Sequence, residues 1–290
     1  MNFINLKARA KINLTLDVLN KIDDGYHNLQ MIMQTISLYD GVYIEKIYKN
    51  FVKLKSNISW LPTDEKNLAY KAAIFLKEKF KLKEGIFIEL DKKIPVAAGL
   101  AGGSSDCAAV LVGINKIFNL HLSKRKLMEY GLNFGSDVPY CIMRGTALAE
   151  GRGEILKKLN PCPHMWIVVV KPPISVSTAY IFKNLDLSKI DKRPNTKEFI
   201  NYINDKDYIN ICKNLCNVLE TVTIPMHTII GDIKELLMNN GADGALMSGS
   251  GPSVFGFFQD KDKAYIAAEN IRNELNFRSI YVAETFNYIK

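Results

Sequence analysis

The stretch Ile94-Pro95-Val96-Ala97-Ala98-Gly99-Leu100-Ala101-Gly102-Gly103-Ser104-Ser105-Asp106 follows a short apolar strand, Ile86 to Leu90, and runs into an apolar segment, Cys107 to Phe118. The order is strand, glycine-rich loop, helix. A helix start carries unpaired N–H groups and a partial positive charge, so it suits an anion. Gly99, Gly102 and Gly103 let the backbone turn sharply and approach a phosphate. Ser104 and Ser105 are placed to cap the helix and to offer hydroxyls to a phosphate or a metal. No Lys follows the glycines as in a Walker A loop, and the spacing is not that of a dinucleotide fingerprint. Local chemistry alone leaves two readings: a flexible connection into a capped helix, or a phosphate cradle of another design.

The N-terminal segment alternates apolar residues at Ala10, Ile12, Leu14, Leu16 and Val18, the pattern of a half-buried strand. Lys11, Asn13, Thr15 and Asp17 then share the other face. Lys11 reads either as an exposed edge charge or as a functional cation. A turn through Asp23-Asp24-Gly25 precedes Tyr26 and His27, which are either loop packing or a ring-binding pair. Strands are predicted over 31–38, 42–47 and 51–54. A helix is predicted to about Lys79, with Thr63 or Asp64 as its N-cap. Another follows the Ser123 cap as far as Gly131. Asp137, between a Gly-Ser turn and Pro139, reads as the cap of a short helix or as a catalytic carboxylate.

Pro161-Cys162-Pro163 is the best boundary, dividing residues 1–160 from 161–290. Beyond it come a strand over 165–170, a helix from Ser177-Thr178 containing Phe182, a polar loop over 185–195, and a helix over 197–219 that would carry Cys212 and Cys216. A helix over 228–239, a strand–glycine turn–strand around Gly249-Ser250-Gly251, a helix over 262–275 and a strand over 279–284 follow. This half suits an α+β, ferredoxin-like layer.

The chain has 290 residues, 48% of them hydrophobic and 23% charged, as expected of a globular protein with a substantial core. A net charge of +8 fits an anionic substrate or RNA, although the basic residues are dispersed. Five scattered cysteines argue against a disulfide framework and for a reducing compartment, and four separated histidines against zinc. The absence of a leader or of a membrane-length apolar run leads us to expect a cytoplasmic protein.

Three separated stretches together resemble the motifs of the GHMP small-molecule kinases: Lys11-Ile12-Asn13-Leu14, Pro95 to Ser105, and Gly249-Ser250-Gly251-Pro252-Ser253. The additional Gly25-Tyr26-His27, Gly135-Ser136-Asp137-Val138-Pro139 and Gly151-Arg152-Gly153-Glu154 resemble members that act on a cytidine-bearing alcohol. The resemblance implies a two-domain fold. Its N-terminal domain would be like ribosomal protein S5 domain 2, and its C-terminal domain ferredoxin-like. It also implies ATP, accompanied by Mg²⁺, as phosphoryl donor; no metal ligand is assigned from the sequence. By the same resemblance Pro95, Val96, Ala97, Ala98, Gly99, Leu100, Ala101, Gly102, Gly103, Ser104 and Ser105 would hold the phosphates, and Asn67 would help with adenine or ribose. Asp137 would be the base and Lys11 the catalytic cation. Asn13, Tyr26, His27, Thr178 and Phe182 would bind the small-molecule substrate. Neither nucleic acid nor membrane is expected as a partner, and the state expected is a monomer or weak dimer. The chain departs from the pattern at Ala101 and Arg144, where Gly is common; Ala101 is tolerable if its φ stays negative.

Overall fold

The computed structural model describes residues 1–22 and 27–287. The chain runs through β1 (Phe3–Lys21), β2 (His27–Ile47), β3 (Val52–Ser56), α1 (Leu68–Lys79), β4 (Gly85–Asp91), α2 (Gly102–Ile117), α3 (Lys124–Gly131) and α4 (Asp137–Met143). It continues through β5 (Thr146–Gly151), β6 (Ile155–Lys158), β7 (Trp166–Val170), α5 (Thr178–Asn184), α6 (Thr196–Asn204), α7 (Tyr208–Lys213) and β8 (Cys216–Asn217). It ends with α8 (Glu220–Met226), α9 (Ile229–Asn239), β9 (Gly244–Met247), β10 (Val254–Phe258), α10 (Lys261–Leu275) and β11 (Ile280–Glu284). These elements form two compact units, interleaved along the sequence: residues 1–10, 39–96 and 101–143, and residues 11–38, 97–100 and 144–290.

In the first unit β3 lies parallel to β4, and β4 antiparallel to the end of β2. Val42, Ile44, Ile86, Ile88 and Leu90 are buried on the sheet, and Ala72, Leu76, Val110, Leu111 and Ile114 on α1 and α2. Helix α2 sits close to the strands because residue 113 is Gly: a Cβ there would lie 2.3 Å from Ile44 Cδ1 and 3.1 Å from Leu6 Cδ1.

A charged cluster is enclosed beside α2. The Lys92 ammonium donates to Asp106 Oδ2 at 2.5 Å and to Asp40 Oδ2. All three side chains are buried. Among the described residues Asp106 Oδ1 has no hydrogen-bond partner. Burial pushes the Asp106 carboxyl up to about 7; Lys92 counters this in part, and the negative charge of Asp40 adds to it. Burial by itself would lower Lys92, but the two carboxylates outweigh that and raise it.

The second unit holds a four-stranded antiparallel sheet in the order β11-β7-β10-β9. Numbered within that sheet by sequence, the order is 4-1-3-2, with helices in the first and third connections; this is the ferredoxin-like arrangement expected. Ile167, Val169, Phe255 and Phe257 lie in its core with Ile233, Leu237, Ala267 and Ile271 from α9 and α10. In the same unit β5 pairs antiparallel with β2, and β8 pairs parallel with β1 through Thr15 and Leu16.

Several local expectations change. The strands predicted over 31–38 and 42–47 are one strand, β2. The cap of α1 is Asn67, whose Oδ1 accepts from Ala69 N, rather than Thr63 or Asp64. Helix α2 begins at Gly102, so Ser104 and Ser105 lie inside it and neither is its cap; Ala101 holds that position. The helix predicted over 197–219 breaks at 205–207, where Lys206 takes φ 55°, so Cys212 lies on α7 and Cys216 on β8. The face of β1 opposite the apolar one is buried as well: Lys11, Asn13, Thr15 and Asp17 are each at most 5% exposed.

The buried carboxyl sets a pH dependence. Asp106 holds its proton to about pH 7 in the folded chain, against 3.8 for the ordinary group, so between those values the folded state binds more protons. Its contribution to unfolding free energy therefore falls as pH rises through that window. Urea unfolding at pH 5 and pH 8 should show this loss, and Asp106→Asn should reduce it. Equal pH slopes in the two proteins would contradict the assignment.

Candidate active site

The polar face of β1 is the first part of the site. In-plane pleating puts Lys11 and Asn13 side by side, and Lys11 Nζ donates to Asn13 Oδ1 at 2.7 Å. Thr15 Oγ1 accepts from Ile32 N at 3.1 Å, and Asp17 Oδ1 accepts from Arg193 at 2.6 Å. A row of polar groups removed from water is stable only when each finds a partner. An ammonium held this way has a fixed position.

The glycine loop meets that strand from its middle. The Lys11 amide donates to Leu100 O at 3.1 Å. Gly99, at φ 73°, lies against the third glycine motif: a Cβ on residue 99 would stand 2.2 Å from the Ser248 carbonyl oxygen and 3.1 Å from that of Gly251. Ser248 Oγ donates to Gly99 O at 3.0 Å. From the other side, a Cβ on Gly249 would be 3.4 Å from Gly99 O and 3.6 Å from Lys11 Nζ. One residue from each of three distant motifs thus meets within the second unit.

The third motif is itself held by Asn217, which is buried. Its Nδ2 donates to Met247 O and Gly249 O at 2.9 and 2.8 Å, and its Oδ1 accepts from Leu219 N. Thr178 Oγ1 and Ser250 Oγ are 2.7 Å apart, which brings the start of α5 to the same motif. The rings of His27 and Phe182 pack at 5.2 Å and 35°. Burial, then the charge of Lys21, lowers the His27 pKa, so the ring is neutral near pH 7. Tyr26 lies outside the described residues.

Apart from Ala97 and Ala98, the remaining candidate residues lie in the first unit and are described within it. Pro95 and Val96 enter the loop, and α2 leaves it with Ser105 N donating to Ala101 O at 2.8 Å. Ser105 Oγ donates to Arg9 O at 2.7 Å. Nothing lies within 4 Å of where a Cβ on Gly103 would be, so the first turn of α2 has room for an anion on that side. Ala101 takes φ 57°, so the condition of a negative φ for an alanine there is not met. Ala97 and Arg144 are likewise left-handed, at φ 52° and 63°. Asp137 is half-buried at the start of α4. Asn67, besides capping α1, donates to Pro62 O.

Sequence reasoning missed Asn217, Ser248 and the Lys92 cluster. Asn217 fell inside a helix predicted to be continuous. The signal for it was Asn two residues before Leu219-Glu220, an Asx turn at a helix start. Lys92 and Asp40 had no signal, because the contact between them joins residues 52 apart in sequence.

Residues 67–145 match the GHMP kinases N terminal domain, and residues 198–276 match the GHMP kinases C terminal domain. A 4-diphosphocytidyl-2-C-methyl-D-erythritol kinase of Caldicellulosiruptor bescii is 51% identical over 93% of this chain and 94% of its own length. One of Lachnospira eligens is 46% identical over 99% of each chain. A crystal structure of 4-(cytidine 5'-diphospho)-2C-methyl-D-erythritol kinase superposes with TM-score 0.85 and 28% identity, covering 98% of this chain and all (100%) of that one. A homoserine kinase structure from Cytophaga hutchinsonii shares the fold at TM-score 0.76 and 19% identity, covering 99% and 95% of the two chains. The chain therefore belongs to the GHMP kinases, and within them to the family of the 4-diphosphocytidyl-2-C-methyl-D-erythritol kinases.

The Gly99 contact gives a direct test. A methyl group at residue 99 would force the loop and the Ser248 carbonyl apart and would strain a positive φ. Gly99→Ala should lower kcat/KM for ATP by about 10²-fold, the scale of a 1 Å misplacement. Wild-type kinetics in a folded Gly99→Ala protein would show the contact to be incidental.

Proposed function

We infer that this chain transfers the γ-phosphoryl group of ATP to the 2-hydroxyl of 4-diphosphocytidyl-2-C-methyl-D-erythritol, a step of non-mevalonate isoprenoid precursor biosynthesis. The observation that carries the site is the meeting of Lys11, Gly99 and Gly249, since those residues come from the three motifs that the family's chemistry needs together. Identity of about half the residues with kinases of that name supports the substrate.

Phosphoryl transfer needs alignment and charge neutralisation more than covalent help. In our reading the backbone N–H groups from Pro95 to Ser105 hold the ATP phosphates, with the open side of Gly103 admitting them. Asp137 accepts the proton of the substrate hydroxyl as its oxygen bonds to the γ-phosphorus; the bond from that phosphorus to the β-phosphate bridge oxygen breaks, and ADP leaves. Lys11, as the catalytic cation, steadies the developing alkoxide. Its contact with Asn13 fixes its direction. His27 and Phe182, with Tyr26, bind the cytosine ring, and the neutral His27 offers one donor and one acceptor. Thr178 and Asn13 contact the substrate's polar groups, and Asn67 borders adenine or ribose.

Mg²⁺ accompanies the nucleotide in this reading and neutralises charge on its phosphates. Among the described residues no three His, Cys, Asp or Glu side chains gather as a metal cage. A division at 160/161 is proposed because it keeps each matched family segment whole. A cytoplasmic location is proposed on five cysteines that are all free thiols. Among the described residues no helix is long and apolar enough to cross a membrane.

A coupled assay supplying ATP with the cytidine substrate, mevalonate or homoserine should show turnover with the first alone. Turnover with mevalonate but not with the cytidine compound would overturn the substrate assignment. Asp137→Ala should lower kcat by roughly 10²–10⁴-fold while ATP binding persists. Lys11→Met should also lose turnover; an unchanged rate and pH profile would make that lysine structural.

A further inference from the structure

The Lys92 cluster lies outside the residues assigned above, and its geometry gives it a purpose. Asp40 Oδ1 accepts two consecutive backbone amides, Lys93 N at 2.5 Å and Ile94 N at 2.8 Å. Those residues immediately precede Pro95, so one carboxylate oxygen pins the entry of the glycine loop. The other oxygen of Asp40 receives the Lys92 ammonium. That ammonium also reaches Asp106 on α2, one turn after Gly102 and Gly103, where the chain leaves the loop. A Cβ on Gly102 would lie 3.5 Å from Lys92 Nζ and 3.1 Å from Ile94 Cγ2, so the start of α2 rests directly on the cluster.

We propose that Lys92 is a positioning residue for the phosphate loop, fixing the spacing between its entry at Ile94 and its exit at Gly102 by bridging Asp40 and Asp106. The proposal rests on the reading of that loop as the ATP phosphate site. A buried ammonium between two carboxylates is a poor source of stability compared with apolar packing, but it is directional. It holds two segments at a distance that apolar contacts alone would leave free to slide. The loop between them has glycines and left-handed alanines and no secondary structure of its own, so its shape follows from where its ends are held.

The test uses the full chain and reads the anchor and the nucleotide separately. Hydrogen exchange by mass spectrometry reports the amides of Lys93 and Ile94 and those of Gly102 to Ser105, with and without Mg²⁺–ATP. Steady-state kinetics reports KM for ATP and for the cytidine substrate. Lys92→Met should speed exchange at both ends of the loop at least tenfold without nucleotide. It should raise KM for ATP by about 10- to 100-fold and leave KM for the cytidine substrate within twofold. A folded Lys92→Met protein with wild-type exchange and wild-type KM for ATP would overturn the proposal, as would an equal rise in both KM values. Should Lys92→Met fail to fold, Asp106→Asn decides. It should speed exchange at Gly102 to Ser105 but not at Lys93 and Ile94; wild-type rates in both segments would sink the bridge. If ATP gives the wild-type loop no protection, the phosphate-site reading fails, while exchange in the nucleotide-free variants still judges the anchor.

Discussion

The carbonyl oxygen of Ser248 occupies the space that a side chain on residue 99 would need. This contact between two backbones underlies the candidate site. It lets the middle of the glycine loop touch the third motif, and the Ser248 hydroxyl then closes onto Gly99 O. The next residue, Leu100, receives the amide of Lys11. The lysine is thereby located by its own backbone and by the strand on which it sits. A larger residue at position 99 would separate all three at once.

Holding such a site rigid requires burying polar groups, and the structure shows how each is compensated. Asn217 spends both amide hydrogens and its oxygen on backbone groups of the third motif and of the following helix. Lys11 Nζ donates to Asn13 Oδ1, and Asn13 Nδ2 donates to Met31 Sδ. Asp17 is neutralised by Arg193, which also donates to Val18 O. An apolar replacement of these residues would give a comparable core. It would not give direction, and phosphoryl transfer depends on direction. The second face of β1 is therefore buried with its polar groups held in fixed directions.

The succession of strands and helices in the ferredoxin-like layer was legible in the sequence because alternation, glycine turns and amphipathic spacing are local signals that agree with one another. The three motifs were legible as an ordered set resembling the GHMP kinases, whereas residue chemistry alone left the glycine loop and Lys11 with two readings each. The faults have local causes too. A cap at Ser104 or Ser105 puts the start of α2 three or four residues later than the Ala101 cap observed, since glycines argue against helix while the unpaired amides they expose argue for one. The helix over 197–219 looked continuous because Lys206, which ends α6 at a left-handed φ, is not a residue type that marks a break. The Lys92 cluster could not be read at all. Asp40, Lys92 and Asp106 are far apart in sequence, and each alone resembles an ordinary surface charge.

Ala97 and Ala101 bear on how the loop keeps its shape. Both take left-handed φ values, 52° and 57°, on either side of Gly99. For a residue with a Cβ that region is less favourable by roughly 1–2 kcal/mol. An isolated peptide of this sequence would leave it. The loop stays because its surroundings over-determine it: Ile94 is held by Asp40, Gly99 by Ser248, Leu100 by Lys11, and Ser105 by Arg9 O. Glycine at 97 or 101 would relax the strain but widen what the free chain can sample. Alanine at both positions narrows that range, so less order remains to be imposed when an anion arrives. Strain held by neighbouring contacts and a loop shaped before its ligand binds are then two aspects of one arrangement.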